Sequence, residues 1–376
     1  MRSIAVCGRE VKNLFGDESY FEEAQIDGLP ITCGLIHTRQ PDFDPRATKN
    51  RFHALVRIKA FSCNYRDKAL FFVALGKGGE KGYFVVGSDF VGEVIEVGTE
   101  VNGLKVGDKV IGNNNYIGDI VDSNDVFEGV ATNHASKEYQ IFHQAKLIKI
   151  PSQMPDTVAA AFSLNSQTAY SMIRKLEVKA GSNILLTAAK SNVALFVLNA
   201  LRKYDVNVLA VSTSLSHETR LKELGVTELI KLNKAPDGSI DQQSLNESVK
   251  SYGKFDYVID PFFDVHFGST LSLMAPGGRY ITCGLSGPTP AANGQPRQQN
   301  VPTLVDALGY AVYKNLQFIG NCLGLTQDLS NAIQDFAGDS YDVVIDSVFK
   351  RHQVANFFTR TFSDQERFGK VVYVYD

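Results

Sequence analysis

Gly87 to Gly112 reads GSDFVGEVIEVGTEVNGLKVGDKVIG, and the reading of this stretch decides the fold. Phe90, Val91, Val94, Ile95, Val97 and Val101 carry the apolar positions of short strands. Gly92, Gly98, Gly103 and Gly107 fall at or near the expected breaks, where glycine permits positive φ and tight turns. Taken alone, these spacings predict a glycine-punctuated β region and say nothing of chemistry.

Outward from that stretch, the alternation in HALVRIKAFS from His53 predicts a strand, and the chain stays strand-rich to about Pro151, as a barrel-like domain requires. The pattern changes after Met154. A helical stretch, DTVAAAFSLNSQTAYSMIRKL, precedes strands expected at Ile184 to Thr187, Val206 to Val211, Glu228 to Lys231, Tyr257 to Asp260, Tyr280 to Cys283 and Leu316 to Gly320. Helical segments separate them, and alternation of β and α at this spacing predicts a doubly wound parallel sheet. The chain closes through DVVIDSVF to KVVYVYD. Residues 1–50 form a prelude of mixed pattern, expected to add a strand or two and a surface extension.

A chain of 376 residues carries two cores more naturally than one. Its formal charge of -3 offers no bulk field for nucleic acid or an anionic membrane. The five cysteines, Cys7, Cys33, Cys63, Cys283 and Cys322, contain no CxxC pair and fit a reducing compartment. With no long apolar run, the expectation is a cytoplasmic protein with neither a membrane nor a nucleic-acid partner.

The order GSDFVGEV, then Val-Gly, then VGDKV, together with SCNYRD (Ser62 to Asp67) and FGKVVYVY near the end, resembles the medium-chain dehydrogenase/reductase superfamily. The likeness is to its zinc-independent quinone oxidoreductase and enoyl reductase branch, over roughly residues 50–376. It implies an α/β protein with a GroES-like β-barrel catalytic domain and a Rossmann nucleotide domain. The division expected is residues 1–50 as an extension, 51–155 with 342–376 as the catalytic domain, and 156–341 as the nucleotide domain, with a cleft between the two domains.

The strand at Ile184 to Thr187 leads into a helical pattern, the place where a dinucleotide fold sets its pyrophosphate against a helix N-terminus. Here the superfamily's glycine-rich turn is replaced by Ala188, Ala189, Lys190, Ser191, Asn192, Val193 and Ala194. Small residues and Asn keep such a turn feasible, and Lys190 adds a cation. After the next strand, Ser212, Thr213 and Ser214 stand where an NAD site carries an acid, with His217 and Arg220 following, which favours NADPH. The resemblance adds Thr168, Cys283, Gly284, Leu285 and Lys370 as cofactor contacts.

For a metal, the first zinc-ligand position of the superfamily holds Asn64, its G-H-E histidine is replaced by Ser88, and no ligand-spaced histidine pair exists, so none is expected. Without a Lewis acid, hydride addition to a double bond conjugated to a carbonyl is the chemistry easier to support, since hydrogen-bond donors can hold the enolate oxygen. Asn64 and Tyr65 are candidate donors, and Tyr65, Lys77 and Tyr83 candidate proton sources, with solvent as the alternative. The polar stretch Asn113 to Gly129 falls where the superfamily varies loops at the substrate mouth.

The resulting expectation is an NADPH-dependent, zinc-independent reductase of a small or carrier-bound enone, enoyl thioester or quinone. The lost glycines keep two alternatives open: a non-redox elimination or isomerisation enzyme, and a silent binding subunit. By analogy with the superfamily, edge pairing through LQFIG would make a homodimer.

Overall fold

The computed structural model describes residues 1–16, 18–115, 133–233, 243–286, 303–338 and 340–375. The chain forms two compact units, Met1–Leu164 with Val343–Asp376, and Asn165–Asp342.

The first unit begins with β1 (Arg2–Cys7), β2 (Tyr20–Ile26) and β3 (Leu29–His37). The β2–β3 hairpin turns on Asp27 and Gly28, both at positive φ (52° and 77°), the geometry that matches strand twist in a two-residue loop. The prelude is therefore largely sheet. Next come β4 (His53–Ser62), α1 (Tyr65–Gly78), β5 (Tyr83–Val85), β6 (Asp89–Val97), β7 (Lys109–Gly112), β8 (Tyr139–His143) and β9 (Leu147–Lys149). Strand β5 closes a four-stranded sheet of order β2-β3-β1-β5.

The deciding stretch folds as the long strand β6 and the short strand β7, paired antiparallel, and its glycines do two different jobs. Gly103 and Gly107 have positive φ (80° and 87°), as turns require. Gly92 and Gly98 do not. Gly92 lies inside β6, where a Cβ would overlap Val56 of β4, and a Cβ at Gly98 would overlap the backbone oxygen of Asn50. Both are glycines because another chain segment passes too close for any side chain.

After α2 (Asp156–Ala159) and α3 (Ser163–Leu176), the second unit alternates β10 (Ser182–Leu186), α4 (Asn192–Leu201), β11 (Val206–Ser212), α5 (Glu218–Glu223), β12 (Glu228–Lys231), α6 (Gln243–Tyr252), β13 (Phe255–Asp260), α7 (Phe263–Thr270), β14 (Met274–Thr282), α8 (Leu304–Lys314), β15 (Gln317–Gly320) and α9 (Thr326–Ala337). Every strand pairing in it is parallel, in the order β12-β11-β10-β13-β14-β15. Chain order reverses direction beside β10, so the carboxyl ends of β10, β11 and β13 border a topological switch point, where open α/β sheets bind ligands.

The chain then returns to the first unit through β16 (Ile345–Lys350), α10 (Val354–Phe362) and β17 (Lys370–Val374). Strand β17 runs antiparallel to β4, completing a sheet of order β16-β17-β4-β6-β7-β9 with β8 also on β4. Phe61, Phe71, Phe90, Phe357, Phe358 and Tyr373 are buried in one core with Ile4 and Val6 of β1. The amino-terminal sheet is thus bound to the barrel by shared apolar burial, each such aromatic contributing roughly 2–3 kcal/mol. No helix among the described residues is long and apolar enough to cross a membrane.

Candidate active site

In the first unit, β4 ends at Ser62 and α1 starts at Tyr65, which puts Asn64 at the helix cap. Asp67, fully buried, accepts the Asn64 N–H at 2.7 Å, the Gly87 N–H at 3.1 Å and the Ser88 hydroxyl. The Asn64 side chain faces inward. Its Nδ2 donates to Ser88 Oγ (2.9 Å) and Asp89 Oδ2 (2.7 Å), while its Oδ1 accepts from Lys370 Nζ (2.9 Å).

Lys370 opens β17 directly after Gly369, whose φ of 109° no other residue adopts easily. Its ammonium donates to Cys63 O (3.2 Å), Asn64 Oδ1 and Asp89 Oδ2 (3.1 Å), and the residue is only 1% exposed. Asp89 Oδ1 accepts from Ser163 Oγ and Leu164 N, both at 2.7 Å. Burial acts to raise the Asp89 pKa, but the Lys370 charge, the Asn64 amide and the other donors together hold it below the usual carboxylate value. Asn133 Nδ2 donates to Ser88 O and to Asn114 Oδ1 (2.7 and 3.1 Å), continuing the polar network.

Two expectations change here. Lys370, placed at the cofactor by resemblance, instead directs its three ammonium hydrogens at three acceptors inside its own unit. The Asn64 amide likewise has both hydrogens committed to Ser88 and Asp89, so it positions the network and has none in reserve for an enolate.

Tyr65 follows Asn64 and is 38% exposed. Its hydroxyl accepts from Lys68 Nζ at 3.1 Å, and Lys68, nearly buried, is held by Asp27 Oδ2 at 2.7 Å from the tip of the β2–β3 hairpin. Tyr83 does not join this group: it lies on β5, paired with Cys7, its ring edge-on to Phe15 at 5.6 Å. The side chain of Lys77 lies outside the described residues, as does residue 116 onward of the Asn113 to Gly129 stretch.

In the second unit, Ala188 takes φ +48°, the left-handed turn for which glycine is the usual residue. The turn is closed by Ser191 N–H to Ala188 O (2.8 Å), tied to β11 by Ala189 N–H to Val211 O (2.9 Å), and capped by Ser191 Oγ accepting from Ala194 N at 3.3 Å. Asn192 and Val193 form the first turn of α4. Lys190 Nζ donates to Ser214 Oγ (3.0 Å) and Ser216 Oγ (3.3 Å) beyond β11. Ser212 is buried and accepts the Ser214 N–H, while Thr213 and His217 are exposed, His217 in a left-handed conformation ahead of α5. Arg220, expected as a cation of this edge, is committed to Glu223 and Asp342.

Thr168 is buried within α3. Cys283 follows β14 with its thiol pushed up to about 12, chiefly by burial, so it packs as a neutral thiol. Gly284 O accepts from Phe263 N at 3.3 Å, and Leu285 is partly exposed. One feature sequence reasoning missed is Asp260 at the end of β13. Its buried carboxylate accepts from Thr187 Oγ1, Phe262 N (2.9 Å), His266 Nδ1 (3.0 Å) and Tyr280 OH (2.6 Å). Burial raises its pKa, yet these donors together hold it below the usual value. An acid closing an apolar strand, with a histidine six residues on, was the available signal.

Residues 50–152 match the family described as Alcohol dehydrogenase GroES-like domain. The chain is 23% identical over 364 residues to a zinc-type alcohol dehydrogenase-like protein of Schizosaccharomyces pombe, covering 90% of this chain and 95% of that one. It is 22% identical over 347 residues to an acryloyl-coenzyme A reductase of Sulfurisphaera tokodaii, covering 88% and 93%. A crystal structure of an NAD-dependent alcohol dehydrogenase superposes with a TM-score of 0.73 at 21% identity, over 100% of this chain and 99% of that one. Residues 50–152 carry that GroES-like domain, and along nearly its whole length the chain is similar to dehydrogenases and reductases of the medium-chain type. It is an oxidoreductase of that type.

Within the superfamily frame, the residues at the zinc position do not fit the metal. An amide and a hydroxyl replace thiolate and imidazole, and the Lys370 ammonium sits on Asn64 Oδ1 and Asp89 Oδ2, so a dication would meet a buried positive charge. A dinucleotide fits better. The β10–α4 turn keeps its left-handed residue and helix cap without glycine, and a cation with hydroxyls lines the neighbouring edge.

Proposed function

We propose that this protein is a zinc-independent, NADPH-dependent reductase of activated carbon-carbon double bonds in an enone, enoyl thioester or quinone. The observation that carries the reading is the Asn64–Ser88–Asp89–Lys370 network, which puts a fixed, internally neutralised ion pair where the superfamily can hold a metal. Without a Lewis acid, a carbon-carbon double bond conjugated to a carbonyl is the acceptor that hydrogen-bond donors alone can activate. A relative named for reducing acryloyl-coenzyme A supports the same substrate class.

Ser191, Asn192 and Val193 would receive the pyrophosphate at the α4 N-terminus, and the hydroxyl-lined end of β11, which lacks an acid, favours NADPH over NADH. When bound, the cofactor supplies the hydride. Tyr65, exposed and backed by Lys68, is the residue we assign to donate a proton to the developing enolate.

The test is titration of the purified protein with NADPH and NADH by nicotinamide fluorescence, then turnover with enones, enoyl thioesters and quinones with and without a chelator. Chelator-resistant oxidation of NADPH by one of these classes is expected. Binding of neither dinucleotide would overturn the redox reading and leave elimination, isomerisation or a binding role.

A homodimer is part of the same proposal. Strand β15 is the edge of the six-stranded sheet, and α8, which precedes it in the chain and packs on the neighbouring β14, exposes Leu304, Val305, Leu308, Val312 and Tyr313. Antiparallel pairing of β15 with its copy would satisfy the edge and cover this apolar face. Light scattering should give twice the mass of the chain, and Val305→Glu with Val312→Glu should give a monomer; a monomeric wild type would refute the pairing.

A further inference from the structure

The loop that lost its glycines carries a cation in their place, and the structure shows where that cation goes. Lys190 is half-buried, and its Nζ reaches across from the β10–α4 turn to Ser214 and Ser216, at 3.0 and 3.3 Å. The two serine hydroxyls are 2.7 Å from each other, and the Ser214 N–H is fixed by Ser212 Oγ at 3.3 Å. Among the described residues, Lys190 has no carboxylate partner, only these neutral hydroxyls. An ammonium so placed has one donor and its whole charge left for an anion, and the hydroxyls can turn to donate to the same anion.

The neighbouring charges do not compete for that role. Arg220 is tied to Glu223 and Asp342, and Glu218 is paired with Lys222 at 2.8 Å. Strands β10 and β11 are parallel neighbours in register from Ser182↔Val206 to Leu186↔Ala210, so the Lys190 turn and the serine segment leave the same sheet edge side by side. In an open α/β sheet this edge receives the adenosine ribose, and the charge offered there decides between a free 2′-hydroxyl and a 2′-phosphate.

We propose that Lys190, with Ser214 and Ser216, holds the 2′-phosphate of NADPH and is the residue that discriminates between the two nicotinamide dinucleotides. The pyrophosphate is left to the first turn of α4. The inference rests on the reading that the chain binds a nicotinamide dinucleotide, and it assigns to the glycine-free turn itself a selectivity that was expected from the acid-free segment after β11, with His217 and Arg220 following.

The experiment is isothermal titration of the full chain with adenosine 2′,5′-bisphosphate and, separately, adenosine 5′-diphosphate. The proteins compared are the wild type, Lys190→Met, Lys190→Arg and Arg220→Gln. The wild type should prefer the 2′-phosphorylated probe by about tenfold or more at ~0.1 M salt, the size of one charge-assisted contact. Lys190→Met should lose that preference while its Kd for adenosine 5′-diphosphate stays within about twofold, Lys190→Arg should retain most of it, and Arg220→Gln should match the wild type. Undiminished preference in Lys190→Met, with unchanged thermal unfolding, would overturn the assignment. Failure of the wild type to bind either probe, NADPH or NADH would overturn the dinucleotide reading beneath it.

Discussion

Lys370 Nζ lies 3.1 Å from Asp89 Oδ2, and both side chains are withdrawn from solvent. The pair joins the first residue of β17 to the first residue of β6, elements separated by 281 residues in sequence. Asn64 touches both partners, so cation, carboxylate and amide form one closed set.

Removing one member of such a pair leaves the other buried and uncompensated. Lys370→Met should lower the unfolding free energy by roughly 3–5 kcal/mol in urea titration, and Lys370→Met with Asp89→Asn should recover a large part of that loss. A single variant as stable as the wild type would mean the pair holds nothing together.

Acid should act through Asp89 and Asp260. Both carboxylates titrate below the ordinary value of 3.8 in the folded protein, chiefly because Lys370 and His266 with their neighbouring donors outweigh burial. Below 3.8 the unfolded chain therefore binds more protons than the folded one. Their contribution is present above that value and is lost as pH falls through the lowered folded values. Unfolding free energy measured between about pH 5 and pH 2 should fall steadily, and Asp260→Asn should show a shallower slope over that range. Equal slopes would count against the Asp260 assignment.

Ala188 is held at φ +48°, where a β-carbon costs roughly 1–2 kcal/mol. Part of that is recovered by glycine, so Ala188→Gly should leave the midpoint of thermal unfolding equal or higher and NADPH binding intact. Ala188→Val, branched at the same φ, should lower both. A destabilised glycine variant would show that the turn is not strained.

Tyr65→Phe removes the hydroxyl that Lys68 supports and leaves the ring. If that hydroxyl is the proton donor, kcat should fall by about 10²- to 10⁴-fold with the Kd for NADPH unchanged, and Lys68→Met should shift the pH dependence of kcat. Turnover within twofold of wild type would assign the proton to water.

The two-unit α/β architecture was legible in the chain because it is written in local periodicity. Strand β4 runs over His53–Ser62 as its alternation required, and β12 over Glu228–Lys231, since period 2 and period 3.6 patterns are properties of neighbouring residues. That Asn64 and Ser88 stand at the positions the resemblance marks for metal ligands was equally plain, because it concerns residue identities alone.

What the sequence could not contain was the meeting of distant groups. Nothing local says that Lys370 turns inward onto Asp89, that Asp27 in the first hairpin seats Lys68 under Tyr65, or that Arg220 is held by Asp342 while Lys190 reaches Ser214. Gly92 shows the same limit from the other side: its place in the pattern suggested a turn, and only the passage of Val56 against it revealed a packing constraint. Pattern fixes which elements form, through local backbone preference and burial. The partner of a charge or the space beside a glycine is set by which segments the folded sheets bring together, and that is a property of three dimensions alone.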